Sequence, residues 1–388
     1  MESIWRELIR GRLDPLLATA ATIDPTAPAA LQSLRNHGTP EQVRVVLELL
    51  DARRRARGRL EDHEQLWLTA ESVQQATRTT VARHKAARFR SVFDQTPVVD
   101  LCCGIGSDAK AIGEAGDVIL VDHDRLLLEL ARANLELAGQ KPSTLHADAS
   151  ALPLTPLPLH IDPDRRDASK RRHRYNEMLP GPDILESLMD RHPDMALKCG
   201  PGVDTANLPG GEVEFIQDGN DLVEATLWRG KLDGSVARRA TLLPSGDSIS
   251  GTPCPLAPHE NQNPGWIHLP VAAIERAGLV SQLLEQFSIG ELYPGLGWLA
   301  GDSAIDSPWL RSFQVVDQMP WRQEKVRRWL TARGEGLATV KTRGVSEDPG
   351  AILKSMGGAG GPLILAILRH GRKKVAWILS EVNTDRSC

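Results

Sequence analysis

Between residues 1 and about 95, apolar positions recur three and four residues apart, the spacing of helices that bury one stripe, with Pro25 and Pro28 separating two such runs. Residues 71–89 predict a further helix leading directly into a different texture. From Pro97 the period shortens. Val98-Val99-Asp100-Leu101 and Val118-Ile119-Leu120-Val121 are short, β-branched and apolar on both faces, which predicts buried strands. A helical stretch follows each, up to Ala115 after the first and from Asp124 to Gly139 after the second. A third strand is expected to end near Asp148 and a fourth near His160-Ile161. Strands alternating with helices predict right-handed βαβ units on a parallel sheet. Residues 195–198 and 212–217 supply later strands, and 221–228 with 236–243 is expected to form an antiparallel pair closing the sheet.

Six prolines between 244 and 270 read as a linker. Beyond it the pattern predicts a helix over 272–287 and an irregular stretch over 289–310. A strand at 313–316, a helix at 322–333, a strand at 337–342, a helix at 349–356 and strands at 362–369 and 374–379 then make a small α/β sandwich. The expected spans are 1–95, helical; 96–248, an α/β domain; 249–311, a linker and a further segment; and 312–388, the sandwich.

A length of 388 residues is too great for one core, consistent with several domains. Hydrophobic residues at 41% and charged residues at 25% exclude wholesale disorder. The net charge of −4 excludes a basic surface over the whole molecule. The charge is uneven: residues 312–388 hold 13 Lys/Arg against 7 Asp/Glu, net +6, which leaves −10 for residues 1–311 and predicts a basic module on an acidic body. The arginine run over 53–59 reads as a solvated helix face. The amino terminus lacks the continuous apolar core of a signal peptide, and no stretch reaches the 18 apolar residues of a membrane helix. Five cysteines without a C-x-x-C pair argue against a zinc knuckle or a disulfide framework, so the cytoplasm is the expected address and no metal is expected.

Candidate chemistry gathers at the strand ends. Asp100-Leu101-Cys102-Cys103-Gly104-Ile105-Gly106 follows the first strand, where glycines let the backbone turn tightly and let a ligand approach where a Cβ would collide. The next helix offers free N–H groups at the same edge. Gly104 to Ala109 also fits G-x-G-x-x-A, the fingerprint of a dinucleotide oxidoreductase. Asp100 argues against that reading, since a carboxylate there repels a pyrophosphate and suits a cofactor bearing an ammonium group, met directly or through water. At the end of the second strand, Asp122 beside His123 can accept both hydroxyl hydrogens of an adenosine ribose. At the end of the third, Asp148-Ala149 offers an acceptor for the exocyclic amine of adenine. Each acid alone is an ordinary cap or turn residue. Three at the ends of three successive strands predict an S-adenosylmethionine pocket with Asp100, Cys102, Gly104, Gly106, Asp122, His123, Asp148 and Ala149 as its contacts.

The fourth strand ends in Ile161-Asp162-Pro163-Asp164-Arg165-Arg166. Amino-methyltransferases of nucleic acids often carry an acid or amide, two prolines and an aromatic here; the acid and main chain hold the target amine, and the aromatic stacks on its base. This chain keeps Asp162 and Pro163 but has Asp164 and Arg165 in the other two places. An arginine plane can stack on a base or hold a phosphate. Asp162, Pro163 and Arg165 are therefore the catalytic candidates, with Asp162 orienting the acceptor by accepting its N–H. In the alternative reading Asp162-Pro163 only ends the strand. Lys170, Arg171, Arg172 and Arg174 either steer phosphate or form a solvated loop.

These motifs resemble those of a bacterial family of S-adenosylmethionine-dependent methyltransferases with a THUMP-like C-terminal domain. The resemblance runs through Gln75-Ala76-Thr77, Ala86-Ala87-Arg88-Phe89, the 99–106 turn, Asp162-Pro163-Asp164-Arg165-Arg166, Lys198-Cys199-Gly200-Pro201-Gly202, Glu224-Ala225-Thr226-Leu227-Trp228, Glu275-Arg276-Ala277-Gly278-Leu279-Val280, Lys341-Thr342-Arg343-Gly344 and Asp348-Pro349. It implies an α/β, Rossmann-like class I methyltransferase with a helical N-terminal region and a small α+β C-terminal region, ferredoxin-like over 249–311 and THUMP-like over 312–388. It also implies an S-adenosylmethionine cofactor and association with RNA, tRNA above all, through the THUMP-like part. Methyl transfer to a tRNA or rRNA base is therefore the leading reading, and the charge of Lys341, Arg343, Arg372, Lys373 and Lys374 is expected to hold the RNA; in the competing reading these charges pair with the acidic body. Trp321 and Trp329 sit at helical spacing in the last domain and read as core rather than stacking platforms. Two other readings stand beside this one: a cofactor-binding, RNA-associated protein without catalysis, and a NAD or FAD oxidoreductase.

Overall fold

The computed structural model describes the chain apart from residues 24–31, 165, 168–169, 172–174, 262 and 382–388. It forms two compact units: Met1–Val236 with Leu242–Gly246, and Ala237–Thr241 with Asp247–Cys388.

In the first unit, helices α1 (Glu2–Ile9), α2 (Asp14–Ala21), α3 (Pro40–Ala56), α4 (Ser72–Gln75) and α5 (Thr79–Phe93) precede the first strand. The proline break at Pro25 and Pro28 lies outside the described residues. The start of α3 follows from its sequence: the Thr39 side chain accepts from the Gln42 N–H while the Gln42 side chain accepts from the Thr39 N–H, a reciprocal cap. Leu8, Leu16, Val45 and Leu49 share one core with Ile105 and Leu130 of the α/β part, so the helical region packs onto that part.

The strands are β1 (Val98–Leu101), β2 (Val118–Asp122), β3 (Ser143–His146), β4 (Leu159–Ile161), β5 (Met195–Cys199), β6 (Glu212–Asp218) and β7 (Asp221–Trp228). Helices α6 (Ser107–Gly113), α7 (Arg125–Leu137) and α8 (Pro182–Arg191) lie between them in sequence. Within this unit the strand order is β6-β7-β5-β4-β1-β2-β3. β1 is parallel to both β2 and β4, so the winding reverses between them. Open α/β sheets bind ligands at such a switch point, outside the carboxyl ends of the strands.

One pairing differs from the expectation. β7 is antiparallel to β5 and β6, not to the strand at 236–243. The reason is the two-residue turn Gly219-Asn220, with Gly219 at φ +59°, which folds β7 back on β6 as a hairpin. The 236–243 segment instead forms β8 (Arg238–Leu243), antiparallel to β9 (Ser248–Gly251). The boundary between the units falls within β8.

The second unit holds β10 (Trp266–Pro270), α9 (Ala272–Ala277), α10 (Ser281–Phe287), β11 (Gly290–Glu291), β12 (Leu299–Gly301), β13 (Leu310–Pro320), α11 (Gln323–Arg333), β14 (Leu337–Arg343), α12 (Pro349–Ser355), β15 (Ala359–His370) and β16 (Lys373–Glu381). The helix expected over 272–287 is two helices, because Gly278 at φ +72° ends the first in a left-handed cap. The stretch 289–310, expected to be irregular, contributes β11 and β12. The sheet order is β11-β12-β10-β13-β16-β15-β14, so strands from 249–311 and from 312–381 share one sheet. Both faces of its centre are buried. Ile364, Ala366 and Leu368 join Phe313 and Trp377 in one core, while Leu363, Leu365 and Ile367 join Val326, Leu330 and Ile352 in another. Among the described residues no helix is long and apolar enough to cross a membrane.

Candidate functional site

The β1–α6 turn departs sharply from ordinary backbone: Cys102, Gly104 and Gly106 take φ values of +58°, +55° and +78°. The two glycines do different things. A Cβ at Gly106 would lie 2.9 Å from Leu135 Cδ1 and 3.2 Å from Ala131 Cβ, so this glycine lets the start of α6 rest on α7. A Cβ at Gly104 would meet nothing within 4 Å, which leaves an open cradle above the turn. Burial pushes the Cys102 thiol up, and the carboxylates of Asp122, Asp162, Asp100 and Asp148 push it further. The charge of all four strand-end acids thus reaches this thiol.

Asp122 is 4% exposed, and burial raises its carboxyl above the ordinary range. One oxygen accepts from the Gly104 N–H at 3.0 Å and the other from the Asp124 N–H at 2.8 Å. A carboxylate has about four acceptor positions, so capacity remains for two ribose hydroxyls. His123 is exposed, with Nδ1 3.4 Å from Asp122 Oδ1. Asp148 is exposed; its Oδ1 accepts from the Ser150 hydroxyl at 2.5 Å and the Ser150 N–H at 2.8 Å, bonds that hold its carboxyl below the usual range and cap the turn beginning at the buried Ala149. The open cradle over Gly104 beside Asp122 fits the adenosine half of the expected cofactor.

Asp100 faces the other way. At 1% exposure, its Oδ2 accepts from the Ala109 N–H at 3.1 Å and its Oδ1 lies 2.7 Å from His160 Nδ1. Burial raises its carboxyl despite the neighbouring imidazole. These contacts give Asp100 an inward role: it ties the turn and α6 to β4. His160 Nε2 is 3.2 Å from Lys85 Nζ, so a ring with its proton on Nδ1 donates to Asp100 and accepts from Lys85. The ammonium of Lys85, 1% exposed, lies 2.8 Å from both Asp108 Oδ1 and Glu224 Oε1. Burial opposes its charge, but the two carboxylates outweigh that and hold it above its ordinary value. Burial likewise opposes the charge on Asp108, and Lys85, His160 and Lys198 together hold its carboxyl well below the usual range.

Asp162 closes the cluster. Its N–H donates to Leu101 O at 3.2 Å, which sets it against the end of β1. Its Oδ2 accepts from Lys198 Nζ at 2.6 Å, and Lys198 also donates to Thr77 Oγ1 at 2.7 Å. Pro163 is buried, and Asp164 pairs its main chain with Leu179 in both directions, at 2.7 and 3.0 Å. Arg165, Arg172 and Arg174 lie outside the described residues. Sequence reasoning proposed no chemical role for Thr77, Lys85, Asp108, His160, Lys198 or Glu224. A signal was present for the two lysines: Lys85 falls on the buried stripe Val81, Ala82, Ala86, Phe89, and Lys198 stands inside the wholly buried strand Met195–Cys199.

In the second unit a cavity of about 290 Å³ is lined by Glu275, Trp298, Lys341 and Arg343 among others. Arg343 is occupied: its guanidinium pairs with Glu275 and donates to Leu296 O at 3.1 Å. Lys374 is paired with Glu347 at 2.5 Å. Lys341 is half-buried, burial lowers its pKa, and it has no hydrogen bond or ion pair among the described residues. Arg372 and Lys373 are exposed at the β15–β16 turn. Trp321 and Trp329 pack on the α11 core, and Trp329 Nε1 donates to Asp317 Oδ2 at 2.5 Å, which leaves them structural, as their spacing suggested. In the run over 53–59, Arg53 and Arg59 donate to main-chain carbonyls within the unit.

Residues 310–381 match the family model described as THUMP domain-like. Two proteins of Mycobacterium tuberculosis, from strains CDC 1551 and H37Rv, each named an uncharacterized S-adenosylmethionine-dependent methyltransferase, are 33% identical over 350 residues, spanning 85% of this chain and 94% of theirs. A solved structure from Porphyromonas gingivalis W83, classed as a methyltransferase, aligns with a TM-score of 0.77 over 96% of this chain and 98% of that one at 17% identity, a likeness of fold.

Proposed function

The chain belongs to the S-adenosylmethionine-dependent methyltransferases, and from that premise we propose that it methylates RNA, at a base of tRNA or rRNA held by its second unit. The observation that supports the substrate is the THUMP domain-like match over residues 310–381, a region whose basic residues give the +6 end of the chain. The family membership also sets aside the oxidoreductase reading of Gly104 to Ala109.

The cofactor supplies a sulfonium-bound, electrophilic methyl group. The rest falls to this chain's own residues. Asp122 accepts from the ribose hydroxyls, Gly104 leaves room for the ribose, and Asp148 and Ala149 flank the adenine. Asp162 accepts an N–H of the target amine and turns its lone pair towards the methyl group. A nitrogen nucleophile needs alignment more than proton removal, so positioning carries most of the rate.

Transfer of labelled methyl from S-adenosylmethionine into total RNA tests this. Asp162→Ala is expected to cut turnover while leaving S-adenosylhomocysteine binding nearly intact. Equal loss of both, or full activity, would remove Asp162 from its role. RNA retention without any methyl incorporation would establish the non-catalytic reading. Point substitutions are the right tool in the second unit, because deleting 312–388 would strip four strands from a single sheet.

A further inference from the structure

We propose that Lys198 is a positioning residue for methyl transfer: it fixes the carboxylate of Asp162, and a buried series of charges running back to Lys85 fixes Lys198 in turn. The inference rests on the reading of Asp162 as the group that holds the acceptor.

An ammonium inside a sheet is costly unless every donor finds a partner. Lys198, 4% exposed, has three donors, and the structure supplies three oxygens: Asp162 Oδ2 at 2.6 Å, Thr77 Oγ1 at 2.7 Å and the Gln75 carbonyl at 3.4 Å. The hydroxyl of Thr77 is committed in both senses, accepting from Lys198 and donating to Asp108 Oδ2 at 2.6 Å. Asp108 in turn lies against Lys85, and Lys85 against Glu224. In the series Asp162–Lys198–Thr77–Asp108–Lys85–Glu224 each group is hydrogen-bonded to or ion-paired with the next, so no member can rotate without leaving a buried neighbour unpaired.

Only one end of the series reaches outward. The side chains of Lys198, Asp108, Lys85 and Glu224 are 5%, 7%, 1% and 4% exposed, against 24% for Asp162. Lys198 holds Oδ2 of Asp162, while Oδ1 takes no hydrogen bond among the described residues. Anchoring one oxygen stops the carboxylate from swinging and leaves the other as a fixed acceptor at the carboxyl end of β4. A pair serving stability alone has no need to end on a half-open carboxylate beside the cofactor turn.

The test uses the full-length protein and the methyl acceptor pool that the parent labels: total RNA, protein or small molecules. Lys198→Met is expected to lower kcat by about 10- to 100-fold, the scale of a misplaced reacting group. Its Kd for S-adenosylhomocysteine should stay within about twofold of the parent. Thr77→Val, which removes the hydroxyl and keeps the ion pair, should lower kcat by a smaller factor. The deciding measurement is coupling: Lys198→Met in an Asp162→Ala background should cost no further kcat, because the carboxylate it positions is gone. A lowered thermal midpoint with unchanged kcat, or losses that multiply in the double variant, would overturn the proposal. If Lys198→Met does not fold, the same coupling read with Thr77→Val decides. Full activity in Asp162→Ala would defeat the underlying reading as well; a crippled Asp162→Ala beside an intact Lys198→Met would defeat the positioning role alone. Labelling of protein or small molecules instead of RNA would refute the RNA substrate and leave the Lys198 comparison to be made on that acceptor. No labelling of any pool would overturn both.

Discussion

Lys85 and Lys374 are both lysines paired with carboxylates, one in each unit, and their surroundings differ completely. Lys85 is 1% exposed between Asp108 and Glu224, while the Lys374 side chain keeps 40% of its surface beside Glu347. Around Lys85 the charges are buried and each partner is obligatory. Around Lys374 water shares the work, and Glu347 is held below its ordinary range chiefly by the hydrogen bond from Lys374. Opposite charges near each other therefore say little until burial is known, since desolvation decides whether removing one partner strands the other.

The comparison can be broken first at its strongest point. Lys85→Met leaves two carboxylates buried without their cation and should destabilise the first unit by about 3–5 kcal/mol in urea unfolding. A loss below about 1 kcal/mol would show that water reaches this site. The pH dependence has a definite sign. Asp108, depressed in the folded state, contributes stability above its ordinary value of 3.8 and loses it as pH falls through its folded value. Lys85, raised, contributes below 10.5 and loses it as pH rises through its folded value. The gap in thermal midpoint between the parent and Asp108→Asn should thus be widest near neutrality and narrow below about pH 3.8.

The next effect concerns the cofactor. Asp122→Ala should weaken S-adenosylhomocysteine binding by about 1.5–3 kcal/mol, roughly ten- to a hundredfold by calorimetry. Unchanged binding would move the ribose away from Asp122.

The second unit sharpens the contrast with smaller effects. Lys341 has no hydrogen bond or ion pair to lose among the described residues, so Lys341→Ala should reduce the log–log salt dependence of RNA binding by about 0.7, one phosphate on a single strand, with little change in stability. Equal slopes for parent and variant would clear Lys341 of phosphate contact. Smallest of all, Lys374→Ala should cost about 0.2–1 kcal/mol of stability in the same unfolding assay.

The sequence made the parallel strands legible because Val98–Leu101 and Val118–Asp122 are apolar on both faces, and it made the hairpin legible only in retrospect, through Gly219-Asn220. β11 and β12 are two and three residues long, below the length at which any period can register. Asp122 and Asp162 could be placed because strand ends are marked by the turns that follow. The inward direction of Asp100 could not, since periodicity assigns faces and says nothing about whether His160 stands opposite. Lys85 and Lys198 carry no motif that marks chemistry, and a lone lysine is most often solvent-facing; the signal lay in the apolar neighbours on either side of both.

The place of β7 between β5 and β6 also has a consequence for how the chain folds. Until residues 212–228 arrive, β5 is an open edge, and its first antiparallel neighbour is the far arm of a ribbon closed by a two-residue turn. Such ribbons form locally within about 1–10 μs, far faster than distant segments meet. The sheet is then finished by docking a preformed hairpin. Glu224 rides on that hairpin, so the lysine carried by α5 gains its second carboxylate only at this step. Completion of the sheet and neutralisation of its buried cation become a single event, and a nascent chain that stops short of residue 212 has neither.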